Sequence, residues 1–409
     1  MQETRSEERV VNPCRGMMGE GEDATPLIKG GEMARRLLVL ALSMLLIAGV
    51  AAFSTQLHYL GSFDPPRDGW TFNGIPVGGI SGLTYGLDGS FYAVCDDKGA
   101  NVDPPGILYK LSIDVDASGI NAVDVTDVIH LQTPDGQPYA AGSIDAEDVL
   151  WDVEGFIVCS ERDQDNNPWI RQFSHAGAYQ GAVPVPSKFV PSFDGEKQVA
   201  GTRTNLSFEA SALTPDYATL YVMNEEALVQ DGDVATPTAG TPVRLIEYDM
   251  TSGTPVEKTE YVYVTEPMFA APPEGKSGDN GVPGMVYVAP ITSQFDLIVM
   301  ERSYVSGAGN QIGLFGVKFD DSSNVMGIDS LSNPSSPQTI TILEKTPLLI
   351  ISDNKDLTQI DFDPDNMEAI GLGPRLPNGH YTLIIASDNN FNPKYQRNVF
   401  AAFEIIPDK

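Results

Sequence analysis

Cysteine is nearly missing from this chain of 409 residues: there are three, and no C-x-x-C or Cys/His spacing that would hold zinc. Histidine is as scarce, with His58, His130, His175 and His380 only, none of them inside a polar cluster. No G-x-S-x-G elbow occurs, and Gly79-Ile80-Ser81-Gly82 is too short to be one, so serine nucleophile chemistry finds no support. Basic residues number 25 against 56 acidic ones, a net charge of -31 that makes nucleic acid and anionic membrane surfaces poor partners. Helical periodicity is almost absent after Phe53, which excludes the helical and α/β classes.

One long apolar run is present, Leu37 to Ala52, directly after Met33-Ala34-Arg35-Arg36. A basic start, an apolar middle and the small pair Val50 and Ala52 before Phe53 make a signal peptide cleaved after Ala52; at a marginal length against the roughly 20 residues a span needs, a retained anchor is the alternative. Residues 1–32 are polar, lack periodicity and precede that signal at an awkward distance, so translation is expected to begin at Met33. Gly30-Gly31-Glu32, encoded by G-rich codons, suits a ribosome-binding site just upstream; Met1 or Gln2 at the native N-terminus would refute this. The exported residues 53–409 then hold 49 acidic and 19 basic residues, and form a single domain. Cys95 and Cys159 fall at equivalent places in successive repeats, in Phe91-Tyr92-Ala93-Val94-Cys95 and Phe156-Ile157-Val158-Cys159; a disulfide and two buried thiols both fit.

What fills the chain is short β-branched or aromatic runs bounded by Gly, Pro, Asn and Asp. They align as a repeated unit. First strands are expected at Ile80–Tyr85, Ala146–Trp151, Phe208–Leu213, Pro283–Val288 and Met367–Leu372, and second strands at Phe91–Cys95, Phe156–Cys159, Leu220–Met223, Leu297–Met300 and Tyr381–Ala386. Third strands follow at Ile107–Ile113, Trp169–Phe173, Val243–Tyr248, Ile312–Phe319 and Val399–Ile405, with fourth strands at Val128–Leu131, Tyr261–Val264 and Leu348–Ile351. Four-stranded units in series predict an all-β fold, a β-propeller with five readable blades and room for a sixth in Asp320–Thr346. The fifth unit lacks a fourth strand and the N-terminal run Gln56–Leu60 lacks a unit, so the two are expected to pair and close the ring. Asp231–Thr241 and Glu266–Val282 read as surface loops.

Each second strand ends in polar residues: Asp96-Asp97, Ser160-Glu161-Arg162, Asn224-Glu225-Glu226, Glu301-Arg302 and Asp388-Asn389-Asn390. Glu147, Glu209 and Glu368 stand near the start of three first strands. In a propeller these positions share one face around the channel. Like charges at that density raise one another's pKa or drive the blades apart unless cations or interleaved arginines intervene, and calcium suits an all-oxygen, flexible site. The plainer reading is that Asp and Asn cap the turns and that Glu-Arg pairs are structural salt bridges.

The chain resembles the phytase-like family described by esterase-like activity of phytase. The resemblance runs from Gly78-Gly79-Ile80-Ser81-Gly82-Leu83 through Asn205-Leu206-Ser207-Phe208-Glu209 and Met300-Glu301-Arg302 to Gly373-Pro374-Arg375-Leu376 and Ser387-Asp388-Asn389-Asn390-Phe391. It implies an exported β-propeller. One departure is Pro105-Gly106-Ile107-Leu108-Tyr109, where the family tends to show an Arg before the aromatic residue. Together these readings lead to a secreted or periplasmic, calcium-dependent hydrolase of phosphoesters or related esters. Its metal ligands are expected among Asp96, Asp97, Glu147, Glu161, Glu209, Glu225, Glu301, Glu368, Asp388, Asn389 and Asn390. Glu209, Glu301 and Arg302 are the catalytic candidates, and Arg203, Arg302 and Arg375 the groups for a small anionic or ester substrate. Nucleic acid, and membrane once the signal is cleaved, are not expected partners; oligomeric state is not legible. A non-catalytic propeller that binds a ligand or an extracytoplasmic protein, with structural calcium, and a calcium-dependent lactonase are the alternatives.

Overall fold

The second strands are the clearest consequence of the sequence. Phe91–Cys95 and Gly155–Ser160 are buried along their whole length, because each lies inside a sheet covered on both faces by neighbouring sheets. The outermost strands alternate instead: Gly119–His130 exposes Asn121, Asp124, Thr126 and Asp127. The computed structural model describes residues 54–319, 322–332, 339–352, 360 and 362–408; the signal segment and residues 1–32 lie outside these. The chain divides between Ala52 and Phe53, and all the described strands belong to the second unit.

Five antiparallel four-stranded blades are present. Blade 1 is Ile80–Tyr85, Phe91–Cys95, Ile107–Asp116 and Gly119–His130; blade 2 is Ala146–Asp152, Gly155–Ser160, Trp169–Ser174 and Tyr179–Val183. Blade 3 is Phe208–Leu213, Thr219–Asn224, Pro242–Asp249 and Val256–Val264; blade 4 is Gly278–Tyr287, Leu297–Val305, Gly309–Lys318 and Glu344–Ser352. Blade 5 is Met367–Arg375, Tyr381–Ser387 and Phe400–Ile406, completed by the N-terminal strand Gln56–Phe63, which pairs antiparallel with the last one. That is the expected closure, and it leaves no open edge between the chain ends.

The core confirms a ring of five. Five apolar clusters each join two adjacent blades: blades 1 and 2, 2 and 3, 3 and 4, 4 and 5, and 5 and 1. The first strand of every blade touches the first strands of both neighbours, so these five surround the axis. Among the described residues of 320–346, no strand precedes Glu344, and no sixth blade forms. Two expectations shift. Blade 2 has a fourth strand, Tyr179–Val183, and the fourth blade's first strand begins at Gly278, inside the expected loop Glu266–Val282. The cysteines do not meet: both are free and buried, Cys95 in the core between blades 5 and 1, Cys159 in that between blades 2 and 3.

Candidate functional site

One irregularity, repeated in every blade, builds the site. Where the first strand pairs with the second, the register slips at Ile80/Gly82, Ala146/Asp148, Phe208/Ala210, Gly281/Gly284 and Met367/Ala369. A β-bulge inserts a residue and re-aims it. The inserted residues are Ser81, Glu147, Glu209 and Glu368, while blade 4 has Val282-Pro283 there and brings no carboxylate. A second set lies toward the same end of the second strands: Asp96, Glu161, Glu225 and Asp388 directly follow theirs, while Arg302 is still paired, opposite Gly281. Their amides hydrogen-bond the start of the first strand in four blades, as in Asp96 N to Gly79 O and Glu161 N to Asp145 O. Two sets per blade therefore meet at one end of the axis.

The close fit is visible in the glycines. Gly79 has φ +63, and a Cβ there would lie 2.3 Å from Asp96 Oδ1. A Cβ on Gly281 would lie 2.5 Å from Glu225 Cγ.

The ring is asymmetric in charge. On one side Asp145, Glu147 and Glu161, all buried, can bring one carboxylate oxygen each within 4.8 Å of one another. Asp145 takes Lys98 Nζ at 2.8 Å and Arg162 Nε at 2.7 Å on Oδ2, while its Oδ1 is buried without a partner. Ser81 donates to Glu147 Oε2 at 2.6 Å, and the Ser207 amide donates to Glu161 Oε1 at 2.6 Å. On the other side Arg302 is the counter-ion: Nη2 lies 3.1 Å from Glu225 Oε1, and Nη1 lies 3.5 Å from Glu368 Oε1 and donates to Asn366 Oδ1. Asp388, fully buried, accepts from the Asn390 amide on Oδ1 and leaves Oδ2 unpartnered.

Carboxyls outnumber cations here, and their acidity records it. Burial, then Asp145, pushes Glu161 up to about 8; burial also lifts Glu225 to about 8 against the opposing pull of Arg302. Asp96 rises to about 8 through burial and then Glu368. Glu147, Glu209 and Asp388 are driven well above the carboxylate range, by burial first and then by Asp145, Glu225 and Asp96 respectively. Without added cations, burial and mutual repulsion thus favour the protonated form of these carboxyls.

Several expected residues lie elsewhere. Glu301 points away from the axis, since neighbours on a strand face opposite sides. Tyr263 and Lys345 share its Oε1, and the Glu266 amide and Asn280 take its Oε2, so it holds blades and loops together. Asp97 accepts from Gly99, Asn101 and Val102; burial raises its pKa, but these bonds outweigh that and hold it below the usual range, as in a loop cap. Asn389 Oδ1 accepts from Phe391 and Gly79, and Asn390 takes φ 47, so both serve the turn. Arg203 donates to the carbonyls of Ala227 and Gly232 and lines a small cavity with Glu161 and Arg162. Arg375 ends the first strand of blade 5, seven residues and about 23 Å beyond Glu368 at the rise of an extended chain, at the opposite end of the axis. None of the four histidines is in the ring: His58 and His380 face Glu404, and His175 stacks on Trp151.

Asp145 was missed by sequence reasoning. The signal was the alternation Asp145-Ala146-Glu147 at the start of a strand, which puts both acids on one side.

With this geometry in hand, the chain can be set beside known proteins. The profile of the phytase-like family, described as esterase-like activity of phytase, matches residues 75–391. An uncharacterized secreted protein of Arthroderma benhamiae is 24% identical over 196 residues, which is 42% of this chain and 38% of that protein; the match thus spans well under half of the relative's length. Among solved structures, the PQQ-bound aldose sugar dehydrogenase of Streptomyces coelicolor aligns at 10% identity over 87% of this chain and 99% of that one, with a TM-score of 0.35. A GH62 hydrolase in complex with xylotriose aligns at 9% identity over 85% and 97%, with a TM-score of 0.38, and the Dos1 propeller at 8% over 80% and 68%, with a TM-score of 0.31.

Proposed function

Since the chain belongs to the phytase-like family, we propose that it is an exported, calcium-dependent hydrolase of phosphoesters or related esters, acting at the acidic end of the propeller axis. The observation that carries this is the buried triad Asp145, Glu147 and Glu161, with its unpartnered Asp145 oxygen, in a ring where carboxyls exceed cations. An all-oxygen donor set fits calcium. These three residues would hold the ion, with Asp96 as the next carboxyl. When bound, the cation would polarise the ester and lower the pKa of water. The chain's own groups do the rest. Arg302 keeps Glu225 and Glu368 paired, and Glu209, beside Glu225, would serve as the proton acceptor once a bound cation has displaced its proton. Arg162 and Arg203, beside Glu161, meet the anionic part of the substrate.

A second reading has one specific observation in its favour. Arg302 and Arg162 are both engaged by carboxylates, and Arg203 by two carbonyls, so phosphate meets no free guanidinium among them. That favours a binding propeller with structural calcium, or a lactonase that needs no phosphate clamp.

Turnover of phosphomonoester, phosphodiester, carboxyl-ester and lactone substrates, with calcium and with chelator, separates the three. The proposal expects calcium-dependent turnover of a phosphoester or carboxyl ester, lost in Glu147→Gln. Turnover of the lactone alone identifies the lactonase. No turnover on any substrate, with calcium still raising the Tm, leaves the binding propeller.

A further inference from the structure

The axis has a second end, and its chemistry is the reverse of the first. A cavity of about 280 Å³ opens there, lined by all five first strands and the turns that follow them. Each blade supplies at least one large aliphatic side chain, among them Leu83, Leu150, Leu213, Met285 and Leu372. Each also supplies one aromatic ring: Tyr85, Trp151, Tyr217, Tyr287 and Tyr381.

Four of these rings are braced from outside the cavity. Phe91 packs on Tyr85 at 4.7 Å, His175 stacks on Trp151 at 4.1 Å, Tyr221 stacks on Tyr287 at 6.0 Å, and the Arg375 guanidinium lies 4.0 Å over Tyr381. The fifth is fixed by its backbone. In the equivalent turns of blades 1 and 5, the amide that closes the turn belongs to a glycine in the left-handed region, Gly89 at φ 81 and Gly379 at φ 90. In blade 3 that place holds Tyr217 at φ 60, bonded in the same way to Thr214 O. A bulky residue there is strained, and strain kept where glycine is the default points to a task for the side chain.

The lining also says what the cavity excludes. Among the described residues its lining contains no Lys, Arg or His, and the nearby Arg375 guanidinium is taken up by the Tyr381 ring and hydroxyl and by the Gly379 carbonyl, so an anion meets no free counter-ion. Its one carboxylate, Asp148, is taken up by the Val149 amide and by the Ser211 amide and hydroxyl, at 2.8, 2.7 and 2.6 Å, so a cation meets no free acceptor. Concave, apolar and lined by pre-set rings is the form of a small-molecule site. We propose that this mouth of the channel binds a small, uncharged, ring-bearing apolar molecule, held between the five aromatic side chains. This rests on nothing at the acidic end.

N-phenyl-1-naphthylamine, neutral and fluorescent when buried, tests it on the purified protein. The expected result is saturable one-to-one binding, unchanged by chelator, with a naphthalene sulfonate of similar size binding at least tenfold more weakly. Tyr217→Gly removes the ring and relieves the backbone, so it should weaken binding at least tenfold while the Tm holds or rises; a structural role alone would lower the Tm. Tyr287→Ala, at a position without backbone strain, should weaken binding too and serves if the first variant does not fold. Non-saturable binding, or wild-type affinity in both variants, overturns the proposal. So does a dimer whose dissociation on dilution is needed before the probe binds, which would identify a second copy of this chain as the occupant.

Discussion

Raising the pH of the cation-free protein should destabilise it, and the size of the effect follows from the ring. Glu161 and Glu225 have ordinary values of 4.5 and stand at about 8 in the fold. Between these limits the folded chain binds protons that the unfolded chain has released, so stability is highest near the unfolded value and falls as pH rises toward the folded one. One such group contributes a slope of about 1.4 kcal/mol per pH unit. Two of them between pH 5 and 8 would remove about 8 kcal/mol, a large share of the roughly 5–15 kcal/mol a domain possesses. Mutual repulsion spreads their titration, so this is an upper bound. On the proposed calcium site the ion would counter this loss, because it would bind the carboxylates and compete with the protons. At a hundredfold excess over its Kd it adds about 2.7 kcal/mol, and that increment should be larger at pH 8 than at pH 5. The assay is urea unfolding at pH 5, 6, 7 and 8, with chelator and with millimolar calcium. Stability in chelator that is flat or rises across this range, or a calcium increment of equal size at both ends, refutes the reasoning.

Two further outcomes are expected. Arg302→Met leaves Glu225 and Glu368 without their counter-ion and should cost about 3–5 kcal/mol at pH 8, but much less at pH 5, where the carboxyls are protonated; equal losses in urea unfolding at both pH values would show that only packing was removed. Glu301→Gln keeps the shape but loses the ion pair with Lys345, and should cost about 1–3 kcal/mol while leaving calcium affinity by calorimetry unchanged, in contrast to Glu147→Gln.

How much of this was legible depended on which physical signal carried it. The strands of blades 1 and 3 declare themselves because β-branched and aromatic runs alternate cleanly with turn residues; Ile80–Tyr85, Phe91–Cys95 and Phe208–Leu213 fall where composition places them. Tyr179-Gln180-Gly181-Ala182-Val183 does not, since it offers one β-branched residue and a glycine, and it is a strand only because Trp169–Ser174 presents a paired edge. The same holds for Gly278-Asp279-Asn280-Gly281, whose composition is that of a loop and whose partner is the well-formed strand Leu297–Val305. Tertiary pairing overrode local propensity at both. The acids of the ring were readable as residue types, yet their orientation was not. Glu301 and Arg302 are adjacent and both stay paired, opposite Gly313 and Ile312, so alternation sends one to each side and the register decides which of them meets the axis. Arg375 was read as a substrate group because a guanidinium matches an anionic ester, although the strand from Glu368 to Arg375 spans the full depth of the blade.

The five bulges at equivalent places bear on how such a site comes to be asymmetric. A repeated backbone offers every blade the same two axial places, so a symmetric sequence would place ten like groups around one channel, and ten carboxylates could not be buried together. Blade 1 substitutes Ser81 at its bulge, and Ser81 donates to Glu147 rather than adding charge. Blade 4 has no acid at its bulge and sends Arg302 from its second strand to the opposite flank, against Glu225 and Glu368. The excess of carboxyls over cations gathers between blades 1 and 2, at Asp96, Asp145, Glu147 and Glu161, where Lys98 and Arg162 both bind one oxygen of Asp145 and Arg162 also lies 3.7 Å from Glu161 Oε2. A cation is thus favoured on one flank, while the other already holds its own. The axis therefore carries an electrostatic gradient from one flank to the other and not a uniform ring of like charge.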